Sequence, residues 1–359
     1  MATVKEHTRG IQKSAEHHFT GFGHTIEVPN IVHFVHLLKL DTNQTFDFPF
    51  RQFIAIYSAH YHLQPDAIYI HTNVPEHQIE KRIKESNSPY THAVSRLPRL
   101  KFNYHAAPNV TSRNQTVDEV ANQSDFVRTS VLVKYGGIYL DDDIYILRDL
   151  KPLRQVGFEN IVGLQGWDEI CPAVIMATKD NILMRTYHEL QDIVFDGSWA
   201  NHAVGLLSTL AREFSPYANQ VLITPKETFF QFSWWGDDLR VIYQVNGTQP
   251  EVPMDNNRPL ENITDFIDHF EQWQPERPRD TWHVDWRLSY TLHGWNHAVE
   301  GLIEYEKENG NDLFGSFGSI TLEYVLSQNS NFARAVYPAV RHAVDSGWLD
   351  AVSFEQTLP

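Results

Sequence analysis

The fold of this chain is decided by residues 135–143, which read YGGIYLDDD. An apolar segment with the composition of a strand follows a glycine pair and ends in three consecutive carboxylates, Asp141, Asp142 and Asp143. Residues two apart in a strand share a face. We therefore expect Asp141 and Asp143 to point the same way and Asp142 to point the opposite way.

Three adjacent carboxylates predict a cation site. Like charges this close repel, and one of them takes up a proton unless a cation lies between them. Carboxylate oxygens suit a hard divalent ion, Mg²⁺ or Mn²⁺. Such an ion can bridge protein carboxylates to a diphosphate, so the motif indicates nucleotide chemistry.

The residues just upstream are predicted to form a helix. The segment from Ser124 to Tyr135 contains no Gly or Pro, and its apolar residues recur at helical spacing. Asp125 and Arg128 are three residues apart, so they lie side by side on one helix face. The glycine pair then ends the helix, as a left-handed cap requires, and turns the chain into the acidic strand.

This unit resembles a glycosyltransferase signature. It reads Ser-Asp-x-x-Arg, then Leu132, then Tyr-Gly-Gly-Ile-Tyr-x-Asp-x-Asp. It is similar to the sugar-binding region with a DXD motif in the family 32-like group, which includes yeast α-1,6-mannosyltransferases and animal α-1,4-galactosyltransferases. Clostridial glucosylating toxins carry a related version. Residues 29–35, PNIVHFV, and 290–296, YTLHGWN, resemble the group's first strand and its closing His-x-Trp-Asn segment.

The order of elements indicates an α/β fold. Strands are predicted at 29–35, 66–72, 161–164 and 173–177, and helices at 51–62 and 180–195. Alternation of strand and helix favours a largely parallel sheet. The resemblance implies a GT-A type nucleotide-sugar-binding fold, with a mostly parallel central sheet flanked by helices. We expect a disordered lead over 1–25, a catalytic domain over 26–297, and a C-terminal helical extension over 298–359 that packs on it.

The resemblance implies four candidate catalytic residues. Asp143 is expected to bind the metal directly, and Asp141 to contact ribose and sugar and to reach the metal as well. Asp125 and Arg128 are expected to bind hydroxyls of the donor sugar. The alternative for the last two is an intrahelical ion pair worth a few tenths of a kcal/mol.

Further candidates complete the predicted site. His293 is the candidate third metal ligand, because imidazole binds Mn²⁺ well; in a chain with 19 histidines, a packed or exposed histidine is the alternative. His33, placed at the end of the first strand, is a candidate for contact with the base. Tyr139 is a candidate for lining the nucleotide pocket, with core packing as its alternative. Asn201 is a candidate for donor binding; it lies in WANH, residues 199–202, which resembles a Trp-Asn-x-x-Ser stretch of some relatives, shifted by one position.

The resemblance further implies transfer with retention of anomeric configuration. The donor is expected to be a UDP-sugar, with GDP-mannose as the alternative, and the acceptor hydroxyl is unknown. A double displacement would need a carboxylate nucleophile, for which Asp168 is the obvious candidate. A front-face reaction, in which the departing phosphate accepts the proton, needs none and is our working hypothesis.

Two other functions compete with this one. A haloacid-dehalogenase-type phosphatase also has a strand that ends in Asp-x-Asp, and residues 236–238, GDD, could pass for its distal acidic motif. Such enzymes place the first motif near the N-terminus, whereas here it lies about 140 residues into the chain. The second alternative is a non-catalytic binder of nucleotide-sugars or glycans on the same fold.

Composition limits partners and location. A net charge of −16 argues against nucleic acid as a partner, and no apolar run reaches the roughly 18 residues of a membrane span. A single cysteine, Cys171, suits a reducing compartment, so we expect a cytoplasmic location. A Golgi or secretory lumen is the alternative, because six Asn-x-Ser/Thr sequons occur, at Asn43, Asn109, Asn114, Asn122, Asn246 and Asn262.

Overall fold

The computed structural model describes residues 26–39, 44–245 and 281–349. A seven-stranded sheet has the order β3-β2-β1-β4-β7-β6-β8, and β5 and β9 form a separate two-stranded ribbon. The strands are β1 Ile31–Val35, β2 Ala67–Thr72, β3 Leu100–Tyr104, β4 Gly137–Leu140, β5 Ile144–Ile146, β6 Asn160–Gly166, β7 Glu169–Ala177, β8 Val221–Thr224 and β9 Thr291–His293. In the seven-stranded sheet, only β7 runs against its neighbours, β4 and β6.

Helices connect the strands and cover the sheet. They are α1 Phe50–Leu63, α2 Glu76–Glu85, α3 Pro89–Ser95, α4 Val120–Tyr135, α5 Lys151–Arg154, α6 Ile182–Val194, α7 Leu206–Phe214, α8 Lys226–Phe229, α9 Gly236–Tyr243, α10 Asn296–Glu308, α11 Leu322–Ser327 and α12 Asn331–Asp345. A π-helical turn, Asn201–Gly205, precedes α7, and a 3₁₀ turn, Gly315–Phe317, follows α10.

The two faces of the sheet belong to different cores. Ile138 and Leu140 of β4 pack in a core with α1 and the C-terminal helices, whereas Tyr139 packs in a second core with α4, α6 and α7. This alternation is what a strand covered on both faces requires. The predicted fold class, α/β with a mostly parallel central sheet flanked by helices, is confirmed.

The C-terminal helices pack on the rest of the fold. The hydroxyl of Tyr57 in α1 lies 3.0 Å from Nδ1 of His342 in α12, and both helices share one apolar core. The division into a catalytic domain and an extension stays a prediction, and the proposed lead over 1–25 lies outside the described residues. No helix in the described part of the chain is long and apolar enough to cross a membrane.

The end of α4 depends on a residue without a side chain. Gly136 has φ 64° and ψ −170°, a combination that is essentially restricted to glycine. The predicted positive φ is confirmed, although ψ differs from that of a left-handed cap. A Cβ on Gly136 would also lie 2.5 Å from the backbone nitrogen of Lys179. The tight entry into β4 therefore needs glycine for two separate reasons.

We expect Gly136→Ala to destabilise the fold by more than the backbone strain that a positive φ imposes on alanine. The matched control is Gly157→Ala, because Gly157 also has positive φ, 87°, but a Cβ there meets nothing within 4 Å. Strain should lower the free energy of unfolding by about 1 kcal/mol in the control, and strain plus overpacking by about 3 kcal/mol in Gly136→Ala. Urea unfolding measures the free energy of unfolding of both variants. Equal losses of stability would contradict the clash between a Cβ at residue 136 and the backbone of Lys179.

Candidate functional site

The three consecutive carboxylates lie in a turn at the end of a central strand. β4 ends at Leu140, and the amide of Ile144 donates to the carbonyl of Asp141 at 3.0 Å. The prediction that strand alternation aligns Asp141 with Asp143 was therefore wrong in its cause, because a turn brings them together. Asp142 turns away, as expected, and accepts a hydrogen bond from Gln52 of α1 at 2.5 Å.

A third potential metal ligand joins the two carboxylates. The ligand atoms of Asp141, Asp143 and His293 all lie within 4.8 Å of one another. His293 belongs to β9, which pairs with β5 in a register that sets Ile144 opposite His293. Because β5 directly follows the acidic turn, this pairing brings a distant histidine to the carboxylates. The structure thus brings together the three residues that were predicted as metal ligands.

Hydrogen bonds from the rest of the fold hold one oxygen of each carboxylate, and Oδ1 of Asp143 lies 3.2 Å from Nε2 of His293, the third candidate ligand. Oδ1 of Asp141 accepts from Nη2 of Arg128 at 2.8 Å and from the hydroxyl of Tyr139 at 2.7 Å. Oδ2 of Asp143 accepts from the amide of Asn296 at 2.9 Å. The other two oxygens and the imidazole form a mixed oxygen and nitrogen donor set, which Mn²⁺ accepts. The residues present therefore fit a divalent cation.

The electrostatics differ among the three carboxylates. Burial, together with repulsion from Asp143 and Asp141, raises the pKa of Asp142 to about 7. Burial opposes charge on Asp143 and on His293 as well, but their atoms are only 3.2 Å apart. The attraction lowers the pKa of Asp143 and raises the pKa of His293 to about 10. The carboxyl group driven toward protonation is thus the one that turns away from the site.

A buried ion network ties α4 to the acidic turn. Nη1 of Arg128 lies 2.8 Å from Oδ1 of Asp125, and Nη2 lies 2.8 Å from Oδ1 of Asp141. The guanidinium also lies over the ring of Tyr139, 4.5 Å from its centroid. The side chains of Arg128, Asp125 and Asp141 are 6%, 11% and 29% exposed. The Asp125–Arg128 pair is therefore more than an intrahelical salt bridge, since Arg128 also orients Asp141, a predicted metal ligand.

His202 joins this network, and sequence reasoning missed it. Nε2 of His202 donates to Oδ2 of Asp125 at 3.1 Å, and the ring is fully buried between Phe126 and Phe195. The predicted neighbour Asn201 is exposed and donates instead to Asp196 at 3.1 Å. The π-helical turn, a geometry frequent at functional sites, sets which of the two side chains points inward. The one-residue shift of WANH relative to the stretch it resembles was the available signal that His202, and not Asn201, faces the site.

The structure does not bring His33 into the site. This residue lies in the middle of β1, not at its end, and is completely buried. Its Nε2 donates to the carbonyl of Gly136 at 2.8 Å, and its Nδ1 lies 2.9 Å from Nε2 of His71. With both ring nitrogens engaged, the predicted contact with a base has no atom to make it. Tyr139 is likewise buried, and only its hydroxyl contributes to the site, through Asp141.

Two other acidic segments are engaged elsewhere. Asp237 pairs with Arg240 at 2.9 Å, and Asp238 accepts from the amide and the hydroxyl of Ser233 at the start of α9. This is a helix N-terminus, so the contacts of residues 236–238 give no support to a phosphatase motif. Asp168 is 82% exposed at a hairpin tip, with its carboxylate 3.1 Å from Arg212.

Comparison with known families gives a match over the part of the chain that contains α4 and the acidic turn. A family model described as a glycosyltransferase sugar-binding region containing a DXD motif matches residues 52–160, which run from α1 to the start of β6. Glucan organizing enzyme 1 from Cryptococcus neoformans var. grubii is 25% identical over 231 residues. The alignment covers 61% of this chain and 58% of that protein, so the chain spans little more than half of its relative's length.

Similar solved structures include several glycosyltransferases. GlyE of Streptococcus pneumoniae is 11% identical, with a TM-score of 0.42 over 89% of this chain and 64% of that chain. PaToxG glycosyltransferase is 14% identical, with a TM-score of 0.36 over 59% of this chain and 79% of that chain. The galactosyltransferase LgtC, with donor and acceptor sugar analogues, is 9% identical, with a TM-score of 0.30 over 55% of this chain and 74% of that chain.

We expect the protein to bind Mn²⁺ without any nucleotide. His293→Gln should weaken this binding at least about tenfold, because it removes the imidazole ligand. Asp142→Asn is the matched control and should bind within about twofold of the wild type, since Asp142 faces Gln52. Electron paramagnetic resonance of free Mn²⁺ measures the affinity. Equal affinity of His293→Gln and the wild type would remove His293 from the ligand set.

The two neighbours in the π-helical turn should differ in their effect on stability. His202→Phe keeps the ring packing but leaves Asp125 without one buried hydrogen-bond donor, a loss of about 1.5–3 kcal/mol for a bond to a charged group. Asn201→Ala changes only an exposed contact and should stay within about 0.5 kcal/mol of the wild type. Denaturant unfolding distinguishes the variants, and the reverse order would contradict the assignment of His202 to the network.

Proposed function

We propose that this chain, which carries a glycosyltransferase sugar-binding region containing a DXD motif, transfers a sugar from a nucleotide-sugar to an acceptor hydroxyl. The transfer is metal-dependent and retains the anomeric configuration. The observation that carries the proposal is the convergence of Asp141, Asp143 and His293. A bound Mn²⁺ or Mg²⁺ supplies Lewis-acid stabilisation of the negative charge that develops on the departing diphosphate.

The chain's own residues hold the carboxylates in place for this task. Arg128 and the hydroxyl of Tyr139 fix Asp141 through one oxygen, and the amide of Asn296 fixes Asp143 in the same way. Partners of this kind orient metal ligands and raise affinity. Asp125 is the residue that supports Arg128. As a second role, we propose that Asp125 and Arg128 bind hydroxyls of the donor sugar.

A front-face reaction accounts for retention. A double displacement needs a free carboxylate on the far face of the sugar, but Asp125 is paired with Arg128 and Asp168 with Arg212. In the front-face reaction, the bond from the anomeric carbon to the diphosphate oxygen breaks, and its electron pair goes to the phosphate. The acceptor oxygen bonds to the same face of that carbon, and its proton passes to a departing phosphate oxygen.

The donor and the location are part of the same proposal. We propose a UDP-sugar, with GDP-mannose as the alternative, from the resemblance of residues 290–296 to the galactosyltransferase branch. We propose a cytoplasmic location, and the sequon at Asn122 does not argue against it, because Asn122 is buried within α4 and could not carry a glycan in this fold. The sequons at Asn109 and Asn114 are exposed. Those at 43, 246 and 262 lie outside the described residues.

Release of nucleotide from a panel of donors tests the proposal. UDP-glucose, UDP-galactose, UDP-GlcNAc and GDP-mannose are each incubated with the wild type and Mn²⁺, or with EDTA. We expect slow hydrolysis of one donor that requires the metal. Asp143→Asn should lower the rate by more than about 100-fold, because loss of a direct ligand exceeds the 10- to 100-fold effect of outer partners.

Asp142→Asn is the control in this experiment, because it changes the same residue type within the same turn without touching the ligand set. Its rate should match that of the wild type. Metal-dependent binding of a nucleotide without release from any donor would leave a non-catalytic nucleotide-sugar binder. If the protein neither binds a nucleotide nor releases one from any donor, the proposed function is contradicted altogether.

A further inference from the structure

A chain of tryptophan rings runs outward from the predicted metal site. Trp295 stacks on His293, with 3.7 Å between ring centroids. Trp234 lies 5.3 Å from Trp295, Trp235 lies 6.4 Å from Trp234, and Trp167 lies 6.4 Å from Trp235. We refer to these four tryptophans as the tryptophan strip. Its inner members are half-buried, whereas Trp235 and Trp167 are 55% and 75% exposed.

The outer end of the strip is held in an unfavourable backbone conformation. Trp167 and Asp168 form the two-residue turn between β6 and β7, with φ of 53° and 60°. Hairpin turns of this kind favour Asn and Gly, and a bulky residue with positive φ is a genuine outlier. Arg212 pairs with Asp168 and holds the turn in place. Strain of this kind persists only where the surrounding structure holds it, and it clusters at active sites and ligand clamps.

The inner end of the strip is fixed to the metal site. Trp295 also has positive φ, 51°, and its indole nitrogen donates to the carbonyl of Phe232 at 3.0 Å. The amide of the next residue, Asn296, donates to Asp143. The strip therefore begins at the residues that hold the ligands, and it leads from there to the surface.

We propose that the tryptophan strip binds the acceptor and that the acceptor is a neutral oligosaccharide. This inference rests on the proposed function, because it assumes that the site transfers a sugar. Pyranose rings present faces of C–H bonds, which pack on the negative face of an indole. A surface of this kind, continuous with a transfer site, receives the molecule that the site modifies.

The charges beside the strip favour a neutral ligand. The carboxylates of Asp168 and Asp237 are next to Trp167 and close to Trp235 in the chain, and they are 82% and 98% exposed. They can accept hydrogen bonds from sugar hydroxyls. The guanidinium groups of Arg212 and Arg240 already pair with these two carboxylates. An anionic lipid surface needs clustered Lys and Arg, and a chain of net charge −16 would be repelled by it.

Isothermal titration of the full chain with neutral oligosaccharides tests the proposal. The probes are glucose, mannose and galactose oligomers of one to six units, each with the wild type, Trp167→Ala, Trp167→Tyr, Trp235→Ala and Tyr305→Ala. We expect at least one oligomer to bind the wild type more tightly than its monosaccharide does. Trp167→Ala and Trp235→Ala should each weaken this binding about tenfold, and Trp167→Tyr should restore most of it, since an aromatic face remains.

Tyr305→Ala is the matched control, because Tyr305 is 56% exposed and is not part of the strip. It should bind like the wild type. Sedimentation with vesicles of phosphatidylcholine and phosphatidylserine is measured in parallel. Binding to vesicles but to no oligomer would overturn the proposal in favour of a lipid surface. Oligomer binding that both Trp167→Ala and Trp235→Ala leave unchanged would also overturn it.

Donor hydrolysis by the wild type separates this inference from the proposed function. If hydrolysis occurs but the strip substitutions do not affect oligosaccharide binding, the transferase stands and the acceptor surface is wrong. If no donor is hydrolysed but the strip still binds oligosaccharide, the surface stands as a glycan-binding site and the transferase proposal fails.

Discussion

Mutual repulsion among the carboxylates at the end of β4 is the constraint on which the rest of the site depends. Each is accommodated by a different part of the fold. Arg128 reaches Asp141 from α4, Gln52 reaches Asp142 from α1, and His293 reaches Asp143 from β9. Three elements that are far apart in the chain must therefore be in place before the turn can hold its charges. The acidic turn is the point at which α4, α1 and β9 meet.

Much of this arrangement could be predicted from short-range pattern. The α4 segment, the glycine pair and the carboxylates are contiguous, so the spacing of residues alone predicts the helix, the tight turn and the side-by-side placement of Asp125 and Arg128. His293 was found through resemblance of its segment to a known motif. Its position beside Asp143 is set by the pairing of β5 with β9. No local sequence pattern encodes the register of that pairing.

The two errors, at His33 and Asn201, arise where the pattern of nearby residues does not decide where a side chain lies. His33 looked like an end residue, but β1 continues to Val35 and is covered by β2 and β4 on its two sides. Asn201 and His202 are adjacent, and only the wide π-helical turn decides that the second of them faces Asp125. Sequence periodicity assumes regular elements, so it fails where a functional residue sits on an irregular one.

The segment from His293 to Asn296 gives the site a further property. It contributes a potential ligand, a stacked indole and an amide that fixes Asp143, so the predicted metal site and the inner end of the tryptophan strip share one short piece of backbone. Coupling free energy between two such sites is reciprocal. If a metal or donor bound at His293 strengthens acceptor binding at Trp295, the acceptor strengthens binding of that metal or donor by the same factor. Reciprocal coupling fixes no order of binding: in the proposed transferase, whichever ligand bound first would raise the affinity for the second.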